Sequence, residues 1–149
     1  MRRLILPLLL VLAACHGGTR EPLPDDRIIR LADDEVKSLD PQKATDLATT
    51  RVAQDQFEGL TRMNGEGRPE PGLATGWSIS ADGLVWRFPL RPALRFSDGQ
   101  PITPATFAAV FARLNDAATA SPSAALFVDV AGVGAEGGDV VVRLKAPMP

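Results

Sequence analysis

The sequence predicts a mixed α/β fold, and three observations carry that prediction. Leu84, Trp86, Phe88 and Leu90 alternate with Val85, Arg87, Pro89 and Arg91. Period-two geometry places the large apolar side chains on one strand face and the two arginines on the other. Phe107, Val110, Phe111 and Leu114 recur at i, i+3, i+4 and i+7, the spacing of one buried helical stripe. Thirteen glycines and thirteen prolines divide the 149 residues into many short elements.

From the N-terminus, the first predicted strand is Arg27 to Ala32, where Ile28, Ile29 and Leu31 give the ragged apolar pattern of a strand buried near a sheet centre. Asp33 to Ser38 leaves that strand, and Leu39-Asp40-Pro41 turns the chain. A helix is expected from about Thr45 to Arg62, burying Val52, Phe57 and Leu60. Ser80-Ala81-Asp82-Gly83 then supplies turn residues, so Trp77 to Ser80 and Leu84 to Leu90 pair as a hairpin. Trp86 belongs to the apolar strand face, and Trp77 is likewise assigned to packing rather than to ligand stacking.

A short strand, Leu94 to Phe96, precedes the turn Ser97-Asp98-Gly99-Gln100. Thr103 caps the next helix, and Pro104 suits its first position because the missing N–H has no partner there in any case. Asp116 to Pro122 reads as a loop and Ser123 to Phe127 as a helical turn. Val128 to Val133 and Asp139 to Lys145 form a second hairpin across a Gly-rich connection, residues 134–138.

The first fourteen residues read as a signal peptide. Arg2 and Arg3 form a positive head, and the apolar run Leu4 to Ala14 falls short of the roughly 20 residues that a spanning helix needs. It ends in Leu12-Ala13-Ala14-Cys15, which resembles a bacterial lipobox and marks Cys15 for lipidation. Two or more acyl chains, at about 0.8 kcal/mol per buried methylene, give stable membrane anchoring. The alternative is a general secretory signal with an incidental cysteine. Cys15 is the only cysteine, which excludes an intrachain disulfide. Residues 15–26 read as a tether rich in Gly, Pro and Asp. Residues 27–149 suffice for one modest core.

Charge and residue usage exclude several functions. Without residues 1–14 the chain carries 14 basic and 18 acidic residues, a net of −4. That balance provides no basic field for nucleic acid and no polybasic membrane patch. The single histidine, His16, lies in the tether, so no His-based triad or zinc site is expected. Gly76-Trp77-Ser78-Ile79-Ser80 lacks the closing glycine of a nucleophile elbow, and no Gly-rich phosphate loop precedes a helix. Asp25/Asp26 and Asp33/Asp34 are sequence neighbours without a visible opposing carboxylate. The expectation is a protein that is not an enzyme, with no cofactor and no metal.

Five segments recur in a distinctive order: EVKSLDPQK (Glu35 to Lys43), QFEGLTR (Gln56 to Arg62), PGLATGW (Pro71 to Trp77), LVWRFPLR (Leu84 to Arg91) and FSDGQPIT (Phe96 to Thr103). Their succession resembles the family-5 extracytoplasmic solute-binding proteins, which deliver oligopeptides, dipeptides and related ligands to ABC importers. The resemblance implies a two-lobed periplasmic-binding-protein-like fold of type II, of which residues 27–149 would be only the beginning of the first lobe. It also implies a chain that continues for several hundred residues beyond Pro149; the alternative is a compact protein that ends there. The implied partners are a peptide ligand, ABC permease subunits and, through the lipid, a membrane of the periplasm or cell envelope.

By the same resemblance, the exit of the first strand lines the ligand cleft, and Glu35, Val36, Lys37 and Ser38 are the expected ligand-binding residues. Main-chain pairing with an extended peptide tolerates many peptide sequences, because the backbone is common to all of them. The contacts of the second lobe would be missing, so this chain alone is expected to bind peptides weakly or not at all. The open alternatives are a non-peptide ligand of the same family (nickel, haem, an opine or an oligosaccharide) and a solvated acidic loop at Asp33 and Asp34.

Overall fold

A computed structural model describes residues 34–148. The expected signal peptide, Cys15, the tether and the strand Arg27 to Ala32 lie outside the described residues. The first elements of the described residues are a 3-10 turn at Pro41–Lys43 and helix α1, Leu47–Gln56. Four strands follow: β1, Thr61–Met63; β2, Pro69–Pro71; β3, Ser78–Ile79; and β4, Val85–Pro89. Helix α2, Pro104–Leu114, leads to a 3-10 helix at Pro122–Phe127 and then to β5, Val130–Glu136, and β6, Asp139–Leu144. Strands β1 and β2 form an antiparallel pair; the others form an antiparallel sheet in the order β3-β4-β6-β5.

The first predicted hairpin forms with shorter arms than expected. Ser78 pairs with Arg87 and Ile79 with Trp86. Its turn is closed by Gly83 N–H donating to the Ser80 carbonyl at 2.8 Å and Ser80 N–H donating to the Val85 carbonyl at 2.9 Å. Gly83 sits at φ +73, a conformation that glycine adopts without a Cβ penalty. The alternating face also holds, with the Trp86 and Phe88 rings stacked at 6.5 Å and 18°. Trp77 departs from its assignment to packing: it precedes the two-residue β3 and is 37% exposed.

The second hairpin has a shorter turn than predicted, with its first arm shifted toward that turn. Strand β5 runs through Gly134 and Ala135 to Glu136, and Gly137-Gly138 alone turns the chain, at φ +57 and +95. Two adjacent left-handed residues are what a two-residue hairpin turn requires. Gly134 therefore belongs to the strand and not to the connection, and a register shift falls between Val130 and Gly132.

Helix α2 begins where Thr103 and Pro104 predict, with the Thr106 hydroxyl accepting from the Thr103 N–H at 3.1 Å. Leu114 is buried and Phe111 meets Phe127 edge-on at 6.5 Å, but Val110 is 51% exposed. At 100° per residue, Phe111 and Leu114 fall within about 40° of Phe107, whereas Val110 lies about 60° away at the stripe's edge. The expected strand Leu94 to Phe96 reduces to one bridge between Arg95 and Pro101, although its turn closes as predicted.

The helix expected to reach Arg62 stops at Gln56, and Phe57 is extended (φ −122, ψ 133) and 52% exposed. Beyond it, Gly72 N–H and Ala74 N–H donate to the Leu60 carbonyl at 3.0 and 3.1 Å, and Leu73 N–H to the Gly59 carbonyl at 2.9 Å. These ladder bonds hold the segment in the β1–β2 pair, which periodicity does not reveal. Asn64 turns that pair, its Oδ1 accepting from Glu66 N–H and Arg68 N–H at 2.9 and 3.0 Å.

Strand β6 carries the centre of the core, with Val140 and Val141 at 0% and 1% exposure on opposite sheet faces. Register places Val140 beside Phe88 and Val142 beside Trp86. On the other face Val141 lies beside Arg87, whose guanidinium meets Glu136 at 2.8 Å while Arg143 meets the same carboxylate. Those two guanidinium groups hold the Glu136 carboxyl below its usual range.

Candidate functional site

The Asp34–Lys43 segment is tied down by side chains from elsewhere in the chain. Asp46, the N-cap of α1, accepts from Thr49 N–H at 2.8 Å and from the Thr49 hydroxyl at 3.0 Å. That hydroxyl, 1% exposed as a residue, accepts in turn from the Lys37 N–H at 3.1 Å. One residue on, Ser38 Oγ accepts from Asp40 N–H at 3.0 Å, and Asp40 Oδ1 caps the following 3-10 turn by accepting from Gln42 N–H at 3.1 Å.

The C-terminal turn of α2 completes the arrangement. Arg113 donates Nη2 to Asp40 Oδ2 at 2.7 Å and Nη1 to Oδ1 at 3.2 Å, and also donates to Gln42 Oε1. Gln42, a buried polar residue, donates Nε2 to the Val110 carbonyl at 2.8 Å. Its own carbonyl accepts from the Ser121 hydroxyl at 2.6 Å. Every polar atom of this buried amide thus has a partner, which offsets its desolvation.

The local electrostatics follow from these contacts. The Arg113 guanidinium holds the Asp40 carboxyl below the usual carboxylate range, and Asp40 raises Arg113 in return. Hydrogen bonds from Thr49, the backbone amide foremost, do the same for Asp46. Both acids therefore stay ionised at neutral pH with their lone pairs engaged. Lys37 extends its ammonium to 3.8 Å from the exposed Asp34 and 4.0 Å from the more covered Asp46, two long and weak pairs.

Of the four residues expected to meet a ligand, Lys37 and Ser38 are tied to α1 and to the Asp40 turn. Val36 is half-buried. Glu35 is exposed, and its N–H donates to Asp34 Oδ1 at 2.8 Å. The backbone groups of Val36 and Ser38 pair with no other group among the described residues. None of the four lines either of two surface concavities. One, about 590 Å³, lies between the end of α1 and β1 beside Gln54, Phe57 and Met63; the other, about 470 Å³, is bounded by Pro41, Ala53, Phe57 and Leu126.

Sequence reasoning missed Thr49, Gln42 and Arg113. Asp40 before Pro41 carries a readable cap signal, an acid preceding a proline that can open a helical turn. Arg113 has no such signal, because its partner lies 73 residues away. Among the described residues no group of three or more His, Cys, Asp or Glu could hold a metal ion, and no helix is long and apolar enough to cross a membrane.

The arrangement matches known proteins in both sequence and structure. The Escherichia coli periplasmic murein peptide-binding protein MppA is 42% identical over 106 residues, covering 71% of this chain and 19% of that protein. The Salmonella typhimurium periplasmic oligopeptide-binding protein OppA is 42% identical over 97 residues, 65% of this chain and 18% of the relative. The chain thus spans about a fifth of the length of these curated relatives. The unliganded open form of MppA superposes with a TM-score of 0.73 at 34% identity, over 79% of this chain and 26% of that one. Haemophilus influenzae OppA in complex with RPPGFSPFR gives 0.70 at 32% identity, over 75% of this chain and 25% of that one.

These neighbours are two-lobed periplasmic binding proteins, and the present mixture of helix and sheet corresponds to part of one of them. Residues 68–149 match the family described as bacterial extracellular solute-binding proteins, family 5 Middle. The chain belongs to that family of solute-binding proteins.

Proposed function

We propose that the protein is the substrate-binding component of an ABC importer, capturing peptides outside the cytoplasmic membrane and delivering them to the permease. The observation that carries this reading is the similarity over most of the chain to relatives named for murein peptide and oligopeptide binding. Residues 27–149 form the beginning of the first lobe, and the ligand lies between that lobe and a second one. Glu35, Val36, Lys37 and Ser38 line the cleft on the first-lobe side. The backbone groups of Val36 and Ser38, without a partner among the described residues, support main-chain pairing with an extended peptide.

Binding takes place without chemistry on the ligand: Asp40 and Asp46, behind the segment, are committed to capping and ion pairs. Cys15 carries the lipid that retains the protein at the membrane of the periplasm or cell envelope. Cys15→Ala should release the protein or block its processing; a variant that remains membrane-bound and normally processed would remove the lipid from this reading.

Calorimetric titration of the whole protein with a synthetic mixture of tri- to pentapeptides tests the function. Saturable binding without cleavage of the peptides is expected. A second reading is favoured by two other relatives: a probable deoxycholate-binding periplasmic protein, YgiS, at 37% identity, and Campylobacter jejuni NikZ in complex with Ni(L-His), with a TM-score of 0.67. Saturable binding of deoxycholate or Ni(L-His), with none of the peptides, would replace the peptide by that ligand.

A further inference from the structure

We infer that Arg113 and Thr49 are positioning residues for the ligand-facing segment, clamping its end at Asp40 and its middle at Lys37. The inference rests on the proposed role of Glu35 to Ser38 and extends it to two residues that meet no ligand themselves.

A backbone that pairs with a peptide must hold its donors and acceptors at fixed positions, or ordering them consumes binding free energy. No strand performs that task here: residues 35–38 belong to no regular element, and Val36 and Ser38 have no backbone partner among the described residues. Order is imposed from outside. The Thr49 hydroxyl holds Lys37 N–H at 3.1 Å and is itself fixed by Asp46 at 3.0 Å. The planar Arg113 guanidinium holds both oxygens of Asp40, and Asp40 N–H returns to Ser38 Oγ at 3.0 Å.

The two clamps come from different elements. Thr49 lies in the first turn of α1, and Arg113 in the last turn of α2, which packs on β5 and β6. Arg113 also engages Gln42, whose carbonyl takes the Ser121 hydroxyl at 2.6 Å, so three distant stretches of chain converge behind the segment. A guanidinium suits this task better than an ammonium, because one rigid fork meets a carboxylate and an amide oxygen together.

The test uses the whole protein as wild type, Arg113→Ala, Arg113→Lys and Thr49→Val, with two measurements on each. The first is amide hydrogen exchange without ligand across 36–40, read at the hydrogen-bonded amides of Lys37 and Asp40 and compared with the core amides of Val140 and Val141. The second is affinity for the tri- to pentapeptide mixture. If the competent conformation falls to a tenth of the population, apparent affinity falls about tenfold. Arg113→Ala and Thr49→Val are each expected to weaken binding to about that extent and to speed exchange at 36–40 while the core amides stay protected. Arg113→Lys should recover part of both effects.

Unchanged exchange at 36–40 in both Arg113→Ala and Thr49→Val overturns the inference, as does acceleration that appears equally at Val140 and Val141. Faster exchange with unchanged affinity overturns it too. A wild type that binds no peptide, yet shows the local exchange effect, instead sinks the peptide reading and leaves the clamp standing.

Discussion

Arg113 and Asp40 meet edge to edge, Nη2 2.7 Å from Oδ2 and Nη1 3.2 Å from Oδ1, although 73 residues separate them. The carboxylate has two duties, since Oδ1 also accepts the Gln42 N–H that opens the 3-10 turn. One duty is ionic and the other is not, so substitutions can separate them. Asp40→Asn keeps an acceptor for Gln42 and loses the charge; Asp40→Ala loses both. Thermal melts should rank wild type above Asp40→Asn above Asp40→Ala. In 1 M salt the gap between wild type and Asp40→Asn should narrow, because exposed charges are screened, while the second gap persists. Equal melting of Asp40→Asn and Asp40→Ala would show that the cap contributes nothing.

Stability should depend on acid in one direction. Asp40, Asp46, Asp82 and Glu136 all have folded-state pKa values below their ordinary ones, the leading causes being Arg113, Thr49, Ser80 and Arg87 respectively. A depressed folded pKa contributes stability that is complete above the unfolded value, about 3.9 for Asp and 4.3 for Glu, and is lost as pH falls through the folded value. The urea midpoint should be flat between pH 7 and pH 5 and drop below about pH 4. A midpoint at pH 3 equal to that at pH 7 would contradict the assignment.

Core and edge valines should respond differently. Val140 and Val141 are 0% and 1% exposed, so truncation to Ala removes two methyl groups and leaves a cavity in the central β6. Each substitution should cost about 2 kcal/mol in denaturant unfolding. Val110→Ala, at a residue 51% exposed, should stay within about 0.5 kcal/mol of wild type.

Two glycines provide a matched comparison. A Cβ at Gly72 would lie 2.5 Å from the Gly59 carbonyl oxygen and 3.2 Å from that of Leu60. Both are backbone atoms of the stretch just before β1, held by hydrogen bonds from residues 72–74, and cannot swing aside. Gly72→Ala should therefore destabilise by about 1–3 kcal/mol. At Gly76 nothing lies within 4 Å of such an atom, and Gly76→Ala should be neutral or stabilising by up to about 1 kcal/mol through the unfolded chain. Chemical denaturation of the two variants side by side decides the point.

Elements whose cause is local were readable. The Ser80 to Gly83 turn, the Thr103-Pro104 helix start and the Ser97 to Gln100 turn depend on residues within a few positions of one another. Where a distant segment competes, reading failed. The apolar spacing of Val52, Phe57 and Leu60 suggests a helix, but ladder bonds from residues 72–74 pull Gly59 and Leu60 into an extended pair. Gly134 to Glu136 read as a connection because β5 draws its register from β6 and not from its own propensity. The candidate site divides in the same way. The resemblance points to Glu35 through Ser38, while the residues that hold them, Thr49, Gln42 and Arg113, emerge only once the chain is folded.

By itself the amino-acid order determined the solute-binding kinship, the mixed α/β composition, the capped helix and the hairpins, because each rests on local chemistry or on an ordered set of short motifs. The tertiary structure alone decided that Gln56 ends the first helix, that Val110 faces outward, and that Arg113 reaches Asp40. Those outcomes depend on hydrogen bonds and packing between segments far apart in the chain, and no local pattern encodes which distant partner will arrive.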